Sequence, residues 1–319
     1  MPKVSVIMNC YNGEEYLREA IDSVYAQTFD DWEIIFWDNA STDQTPVIAA
    51  SYGERLRYFR SSTLLTLGAA RRQAVEQAAG EWVAFLDCDD YWYPEKLETQ
   101  ISALAGTDHV LCYAGIREIE PDGTIIREVI PHHFSGNALE QLLQQFDVNM
   151  VTPMLRLAVL RRFGLNFDEN VTASEEYNLF VRLAAKGSVL SLPNILGVWR
   201  ISPGSLTDRQ IAKWSIERYY TLDQLKRENP GIDRLYPAAF REAYARGDYY
   251  KARYLMSEGR VAEARKVMAG IAAVNFRYRL LLFGLYVPSF WGIIHGNFLK
   301  RRVLPRIFGY TSVNSGRVK

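Results

Sequence analysis

Short apolar runs alternate with amphipathic stretches through the first 115 residues, and this alternation constrains the fold more than any other feature. Five runs have the length and composition of buried strands: 4–8, 32–37, 56–59, 82–86 and 109–114. Helical periodicity separates several of them, most clearly over 14–26 and 68–79. Because parallel strands need long crossover connections, usually helices, the spacing predicts an α/β fold with a doubly wound, mainly parallel sheet.

Polar side chains follow the predicted strands where each strand ends. Asn9 and Tyr11 follow the first strand, and Asp38 and Asn39 follow the second. Three carboxylates follow the fourth strand, in the stretch Asp87-Cys88-Asp89-Asp90. In doubly wound sheets, ligands bind beyond the carboxyl ends of the strands. We therefore expect these groups to line one crevice if the three strands are neighbours.

The acidic stretch after residue 86 has two interpretations. Residues two apart in a strand face the same way, so Asp87 and Asp89 can point at one object. Carboxylates crowded beside an apolar strand repel each other, and a divalent cation would relieve that repulsion. Mg²⁺ or Mn²⁺ suits one or two carboxylates plus substrate phosphate oxygens. The alternative is a solvated acidic turn, and the cluster alone leaves both interpretations open.

Length and composition bound the class of protein. The chain has 319 residues, enough for one large domain or two modest ones. Its 37 basic and 37 acidic residues give no general attraction to nucleic acid, so no nucleic-acid partner is expected. The first residues enter a strand pattern at once, without the features of a signal peptide. The three cysteines are far apart, which predicts reduced thiols in a cytoplasmic setting.

Two stretches carry a family resemblance. "SVIMNCYNGEEYLREAIDSVYAQTFDDWEIIFWDNASTDQT", followed by "GAARRQAVEQAAGEWVAFLDCDDYWYPEKL", closely resembles family 2 glycosyltransferases with the GT-A fold. The match is specific over the first hundred residues and weaker to about residue 205. The resemblance implies a Rossmann-like, GT-A type sheet. It also implies sugar transfer from a nucleotide diphosphate donor, with inversion at the anomeric carbon.

The resemblance also implies a donor site. Tyr11 matches the residue that stacks on the base, and Arg71 matches the arginine that faces the base and diphosphate. Asp38 and Asn39 take the place of an acidic pair that hydrogen-bonds the base. The family usually has two aspartates there, so Asn39 is a departure; uracil or thymine is still favoured. The remaining donor-binding candidates, with the acidic signature, are Asn9, Asp87, Cys88, Trp199 and Arg200.

The metal and the general base follow from the same resemblance. Asp89 matches the metal ligand, with Asp87 beside it nearer the ribose or sugar, and the metal is Mn²⁺ or Mg²⁺. Relatives carry an acidic pair before an apolar helix, and the second acid is the general base. Here that pair is Glu175-Glu176, so Glu176 is favoured as the base over Glu175. The alternative is that both acids serve only the helix start, where negative charge is stabilising.

The sequence predicts three regions. Residues 1–115 form the nucleotide-sugar-binding half of the GT-A domain, and 116–206 form the half that binds acceptor and supplies the base. Residues 207–319 form an α-helical C-terminal extension, part of which looks like one tetratricopeptide-type hairpin. An apolar stretch with basic flanks, within 277–302, predicts peripheral contact with the inner face of the plasma membrane. A buried helix is the alternative.

Three functions from different classes are considered. The favoured one is metal-assisted transfer of a sugar to a hydroxyl of a glycan or lipid-linked acceptor, in cell-envelope polysaccharide synthesis. A nucleotidyltransferase also uses acidic metal sites on α/β sheets, but its usual basic, glycine-rich loop is missing near residues 9–13. A catalytically inactive nucleotide-sugar-binding scaffold is the third, and the intact acids Asp87, Asp89 and Glu176 argue against it.

Overall fold

Nine strands form a single mixed sheet in the computed structural model, which describes residues 1–132, 135–201 and 210–286. The strands run in the order β3-β2-β1-β4-β8-β6-β9-β5, and β7 pairs with β6. Their bounds are β1 Val4–Cys10, β2 Trp32–Asp38, β3 Leu56–Arg60, β4 Trp82–Phe85, β5 Tyr91–Trp92, β6 Leu111–Ile119, β7 Ile125–Val129, β8 Met154–Arg156 and β9 Val189–Arg200.

The first four strands are parallel neighbours, with β1 between β2 and β4 and with β3 beside β2. Every residue of β1, β2 and β4 is buried, which is why these strands appear in the sequence as continuous apolar runs. The predicted doubly wound sheet is therefore confirmed. Seven helices accompany the strands: α1 Leu17–Tyr25, α2 Thr45–Ala50, α3 Leu67–Glu76, α4 Lys96–Leu104, α5 Leu139–Gln144, α6 Leu157–Phe163 and α7 Glu175–Ala184.

The second half of the sheet mixes directions. β8 runs antiparallel to both β4 and β6, whereas β9 runs parallel to β6. β6 and β7 form a hairpin, which turns at Gly123 with a φ of 85°. The twelve-residue strand β9 was not predicted, and its pairing with β6 shifts register on both sides of Gly115. A Cβ atom on Gly115 would lie 2.9 Å from the Val129 carbonyl oxygen, so the strands approach too closely there for a side chain.

The chain divides into two compact units, Met1–Leu139 with Asp147–Ser202 and Glu140–Phe146 with Pro203–Lys319. The predicted division of the GT-A domain near residue 115 stays a prediction.

The second unit confirms the helical C-terminal extension. Its remaining helices are α8 Ile211–Glu228, α9 Ile232–Leu235, α10 Pro237–Ser257, α11 Val261–Ile271 and α12 Phe276–Gly284. α10 and α11 form a hairpin that turns at Gly259 and buries Ala252, Ala264 and Met268. None of the helices in the described ranges is both long and apolar enough to cross a bilayer. The apolar stretch predicted to contact a membrane lies within the described residues only as far as 286.

Candidate active site

The carboxyl ends of β1, β2 and β4 meet at one edge of the sheet. Cys10 lies beside Asp38 in the parallel register, and Ile7 lies beside Phe85. The three groups of polar residues that follow these strands are therefore neighbours, as expected from the sequence.

Arg71 joins two distant parts of the chain at this edge. Its guanidinium donates one hydrogen bond to Glu175 at 2.8 Å and two to the Asp87 carboxylate, at 2.7 and 2.9 Å. The residue is only 4% exposed. Burial lowers the pKa of Arg71, but Asp87 and then Glu175 more than offset this and raise it above its ordinary value. Sequence reasoning placed Arg71 at the donor diphosphate and missed these ion pairs, which span 104 positions between Arg71 and Glu175.

A close backbone contact allows this bridge to form. The Thr66 hydroxyl caps the start of α3 by accepting a hydrogen bond from the Ala69 amide. A Cβ atom on Gly68 would lie 2.9 Å from the Val171 carbonyl oxygen. The absence of a side chain at Gly68 thus lets the first turn of α3 approach the segment before α7, which brings Arg71 to Glu175.

Three carboxylates crowd the turn after β4. Burial and then the Asp87 carboxylate raise the pKa of Asp89 to about 6. Asp90 is 4% exposed and accepts a hydrogen bond from the Arg200 amide at 2.9 Å. Burial, followed by Asp89 and Asp87, raises the pKa of Asp90 well above its ordinary value. Of these three carboxylates, Asp87 is the one that has an ion pair with a buried cation within the described residues.

Arg200 holds the same turn from the end of β9. Its guanidinium donates to the carbonyl oxygens of Asp89 and Pro121, at 3.0 and 3.2 Å, and to Glu19 at 2.6 Å. It also lies over the Tyr16 ring at 4.2 Å. The sequence predicted Arg200 and Trp199 as donor-binding residues. Trp199 is half-buried and packs against the core beneath β1 and β4, so the described contacts of both residues are structural.

Asp38 and Asn39 direct their side chains into the protein. Asp38 is fully buried and accepts hydrogen bonds from the Ser41 amide and the Tyr58 hydroxyl. Burial and then Asp38 raise the pKa of Tyr58 to about 12.

Asn39 holds the segment that follows β3. Its amide oxygen accepts from the Leu65 amide at 3.0 Å and the Ser61 hydroxyl at 3.1 Å, while its amide nitrogen donates to the Leu65 carbonyl at 3.0 Å. Both lone pairs of that oxygen are used, and one N–H remains to donate. No local pattern in the sequence indicates this arrangement, and the base-binding role of the two residues stays a prediction.

Asn9 and Tyr11 differ in how far their side chains are exposed. Tyr11 is 48% exposed, so its ring is accessible for stacking. Asn9 is 7% exposed, and its amide nitrogen has no hydrogen-bond partner within the described residues. The indole nitrogen of Trp37, its neighbour in register on β2, is likewise buried without a partner there. Two adjacent buried donors await an acceptor, which a ligand or water would supply.

Cys88 lies between the two aspartates and is half-buried. The neighbouring Cys10 thiol, then burial, raises the pKa of Cys88 well above its ordinary value. The Cys88 side chain also packs against the core beneath β1.

The two acids predicted as candidate bases differ in burial. Both lie in the first turn of α7, which Ser174 precedes without a side-chain capping hydrogen bond. Glu175 is 4% exposed and is the partner of Arg71. Glu176 is half-buried. Glu176 is therefore the acid of the pair that an acceptor hydroxyl reaches more easily.

Comparison with protein families gives one match that covers half the chain. The sequence profile described as "Glycosyl transferase family 2" matches residues 5–165. An uncharacterized glycosyltransferase of Rickettsia felis is 33% identical over 217 residues, which are 67% of this chain and 35% of that protein. The chain thus spans about a third of the length of that relative.

A further relative has a named reaction. The Escherichia coli protein WfgD, a UDP-Glc:alpha-D-GlcNAc-diphosphoundecaprenol beta-1,3-glucosyltransferase, is 27% identical over 210 residues. The matched region covers 65% of this chain and 80% of WfgD.

Two solved structures share the fold. S. aureus TarS 1–349 in complex with UDP-GlcNAc superposes with a TM-score of 0.64 at 20% identity, covering 93% of this chain and 92% of TarS. The mannosyltransferase PcManGT from Pyrobaculum calidifontis, in complex with GDP-Man and Mn²⁺, gives a TM-score of 0.53 at 17% identity, covering 92% and 86%.

Proposed function

Because this chain belongs to glycosyltransferase family 2, we propose that it transfers the sugar of a UDP-sugar or dTDP-sugar to a hydroxyl of a glycan or lipid-linked acceptor. The reaction is a metal-assisted single displacement that inverts the anomeric carbon. One observation carries the proposal: Arg71 joins Asp87, at the donor end of β4, to Glu175, at the start of the helix that carries the candidate base. Groups that serve donor and acceptor are thus fixed to one buried cation.

The related proteins support a uridine nucleotide and a cell-envelope acceptor. WfgD is named for UDP-Glc and a diphosphoundecaprenol-linked acceptor, and TarS was solved with UDP-GlcNAc. PcManGT was solved with GDP-Man, so the shared fold also accommodates a purine. A thermal-shift panel of UDP, dTDP and GDP sugars with Mn²⁺ would test the base, and stabilisation by GDP-Man alone would contradict a pyrimidine donor.

The acidic turn carries carboxylate oxygens that suit a divalent cation as ligands. Asp89 and Asp87 would hold Mn²⁺ or Mg²⁺, and the raised pKa of Asp89 reflects repulsion and burial that a cation would relieve. Within the described ranges, no three His, Cys, Asp or Glu side chains come together as a metal site. One or two carboxylates, completed by substrate phosphate oxygens, are a common set for Mg²⁺. When bound, the cation would supply positive charge to the leaving diphosphate.

The chain's own residues would do the rest. Glu176 accepts the proton of the acceptor hydroxyl while that oxygen attacks the anomeric carbon from the face opposite the diphosphate. No covalent sugar–protein intermediate forms, so the anomeric centre inverts. The ring of Tyr11 stacks on the base. Arg71 acts as a positioning residue, because its three hydrogen bonds fix Asp87 and Glu175.

Glu176→Gln tests the mechanism, because the amide keeps the shape of the side chain and does not take a proton. Loss of a general base typically costs about two to four orders of magnitude in rate. We expect that loss in single-turnover transfer with donor saturated, with donor affinity unchanged. Glu176→Asp, which restores the acid used by relatives, should keep partial activity.

Near-wild-type transfer by Glu176→Gln would place the base elsewhere. Donor binding without transfer in the wild-type protein, across glycan and lipid-linked acceptors, would favour the inactive scaffold. Incorporation of a nucleotide in place of a sugar would identify a nucleotidyltransferase.

Peripheral membrane contact is proposed for α12. Phe276, Leu280 and Phe283 share one face by their spacing, and the two phenylalanines are 68% and 69% exposed. Arg277 and Arg279 lie beside them, and each basic residue near anionic lipid adds roughly 1 kcal/mol of attraction.

Flotation of the full chain with anionic vesicles tests this contact. Phe276→Ser combined with Phe283→Ser should reduce flotation, whereas Ile216→Ser, a control for another exposed apolar residue, should not. Binding should weaken as salt rises. A wild-type protein that never floats would contradict the proposal.

A further inference from the structure

Two cysteines from neighbouring strands meet beside the proposed donor site. Cys10 is the last residue of β1, and Cys88 lies three residues beyond the end of β4. Ile7 and Phe85, each three residues earlier, are paired in the parallel register. β1 and β4 are held side by side as far as Leu86, whose amide donates a hydrogen bond to the Ile7 carbonyl oxygen, and Cys88 lies in the turn that follows. Both cysteines contact the same apolar core.

The packing of Gly13 shows how close the two sulfur atoms are. A Cβ atom on Gly13 would lie 2.5 Å from the Cys10 sulfur and 2.8 Å from the Cys88 sulfur. Both sulfurs thus border the space that a side chain would need, and the Cys10 sulfur also lies 3.8 Å from the Thr45 hydroxyl oxygen.

The two thiols differ in access. Cys10 is 3% exposed, whereas Cys88 is half-buried. The third cysteine, Cys112, is fully buried and accepts a hydrogen bond from Gln100. A small oxidant can therefore reach Cys88 first, and Cys10 is the thiol placed to react next.

We propose that Cys10 and Cys88 are a reversible redox pair, which peroxide converts to a disulfide that weakens donor binding. In the first step, the Cys88 sulfur bonds to one peroxide oxygen, the O–O bond breaks, and one water leaves. In the second step, the Cys10 sulfur displaces the hydroxyl of that sulfenic acid, so the S–S bond forms as a second water leaves. The two sulfurs lose two electrons in total, and the peroxide oxygens gain them.

The disulfide would alter the groups on either side of it. Cys88 lies between Asp87 and Asp89, and Cys10 lies between Asn9 and Tyr11. An S–S bond of about 2.05 Å requires the sulfurs to come closer than two thiols in van der Waals contact. The turn that carries Asp87 and Asp89 must shift to allow this. Displacement of a reacting group by about 1 Å can cost roughly 10²-fold in rate. The expected effect on donor binding rests on the proposed function.

Reversibility follows from the same geometry. Disulfides that fit their surroundings poorly are more easily reduced than structural ones. The bond would therefore act as a switch.

The experiment uses the full chain treated with hydrogen peroxide, followed by peptide mass spectrometry without reduction. We expect a Cys10–Cys88 linked peptide in the wild type and in the control Cys112→Ala, and none in Cys10→Ser or Cys10→Ala. UDP binding with Mn²⁺ is then measured by calorimetry. The oxidised wild type should bind at least about tenfold more weakly, a change comparable to losing one good contact. Dithiothreitol should restore binding, and both Cys10 variants should bind UDP equally before and after peroxide.

Each contrary result has a distinct meaning. A sulfenic or sulfinic acid on Cys88 without linkage to Cys10, or a bond between Cys88 residues of two chains, would overturn the proposal. A linked peptide with unchanged UDP binding would also overturn it. Failure of the reduced protein to bind UDP would instead refute the proposed donor, and the mass spectrum would still test whether the disulfide forms.

Discussion

Arg71 and Lys96 are two of the buried cations in the first unit, and their surroundings differ. Arg71 is 4% exposed and donates three hydrogen bonds to two carboxylates. Lys96 is fully buried on α4, and its ammonium nitrogen has no hydrogen-bond partner in the described part of the chain. It lies 3.8 Å from the centre of the Trp92 ring. Burial lowers the pKa of Lys96 to about 7.

The difference shows how each side chain tolerates burial. Guanidinium stays charged in proteins, so Arg71 is stable inside only with anions around it, and it holds them in place in return. An amine can release its proton, so Lys96 persists beside an aromatic face and the Cys112 thiol without a carboxylate. The first cation is thus suited to organising a charged site, whereas the second belongs to the packing beneath α4.

The largest expected effect comes from removing the paired cation. Arg71→Met leaves Glu175 buried without its ion-pair partner, and it removes the guanidinium nitrogen that contacts both carboxylate oxygens of Asp87. Breaking a buried ion pair from one side typically costs about 3–5 kcal/mol. We expect a loss of that size in the free energy of unfolding, measured by urea denaturation, together with loss of transfer activity.

Arg72→Met is the matched control. Arg72 is adjacent in sequence, but its side chain is 42% exposed, and its ion pairs with Glu76 and Glu169 are 3.4 and 3.5 Å long. Exposed pairs contribute about 0–1 kcal/mol, so this variant should be nearly as stable as the wild type. Equal losses from both variants would remove the distinction between a bridging and a surface arginine.

Removing the unpaired cation should have the opposite sign. Lys96→Met keeps the length of the side chain and removes a group whose charged form is poorly solvated. We expect the variant to unfold at a higher temperature near pH 7. Its free energy of unfolding should exceed that of the wild type by on the order of 2–4 kcal/mol. Thermal unfolding followed by circular dichroism measures this.

The pH profile identifies the cause. Between about pH 7 and the ordinary lysine pKa of about 10.4, the unfolded chain binds more protons at Lys96 than the folded protein does. This residue therefore makes the wild type more stable as pH rises through that range, and it contributes no further change below pH 7. The advantage of Lys96→Met should narrow as pH rises from 7 to 10. Lys251→Met, at an exposed position, should show no such trend, and a constant advantage would contradict the lowered pKa.

The smallest expected effect extends the comparison to a neutral group. Asn39→Asp would replace the N–H that donates to the Leu65 carbonyl with a second oxygen. Loss of one buried hydrogen bond costs about 1–3 kcal/mol, and repulsion between the oxygens should displace the segment around residue 65. We expect a loss near the lower end of that range and no gain in UDP affinity by calorimetry. Tighter UDP binding would show that residue 39 accepts a hydrogen bond from the base.

The sequence predicts those parts of the fold that depend on residues close together along the chain. The runs of β1, β2 and β4 are apolar throughout because both faces of each strand are buried, so their periodicity is visible locally. The positions of the polar residues after them follow from the rule for strand ends. β9 was missed because Pro193 and Asn194 interrupt its apolar pattern, and its pairing with β6 depends on register shifts at Gly115.

The sequence predicted which residues belong to the candidate site, but it did not predict their contacts. Asp87, Asp89 and the pair Glu175-Glu176 carry recognisable local patterns. The pairing of Arg71 with Glu175 depends on the close approach permitted at Gly68, and that approach has no local signature. The inward direction of Asn39 likewise depends on Ser61 and Leu65, which follow another strand.

The contacts of Arg200 have a consequence for the order in which the protein is made. The amide of Arg200 bonds Asp90 across 110 positions of the chain. A ribosome that adds about 5–20 residues per second needs roughly 6–22 seconds between these two residues. During that interval the acidic turn lacks the hydrogen bonds that Arg200 later supplies. The nascent chain therefore carries this acidic turn without those bonds, and they form only after β9 leaves the exit tunnel.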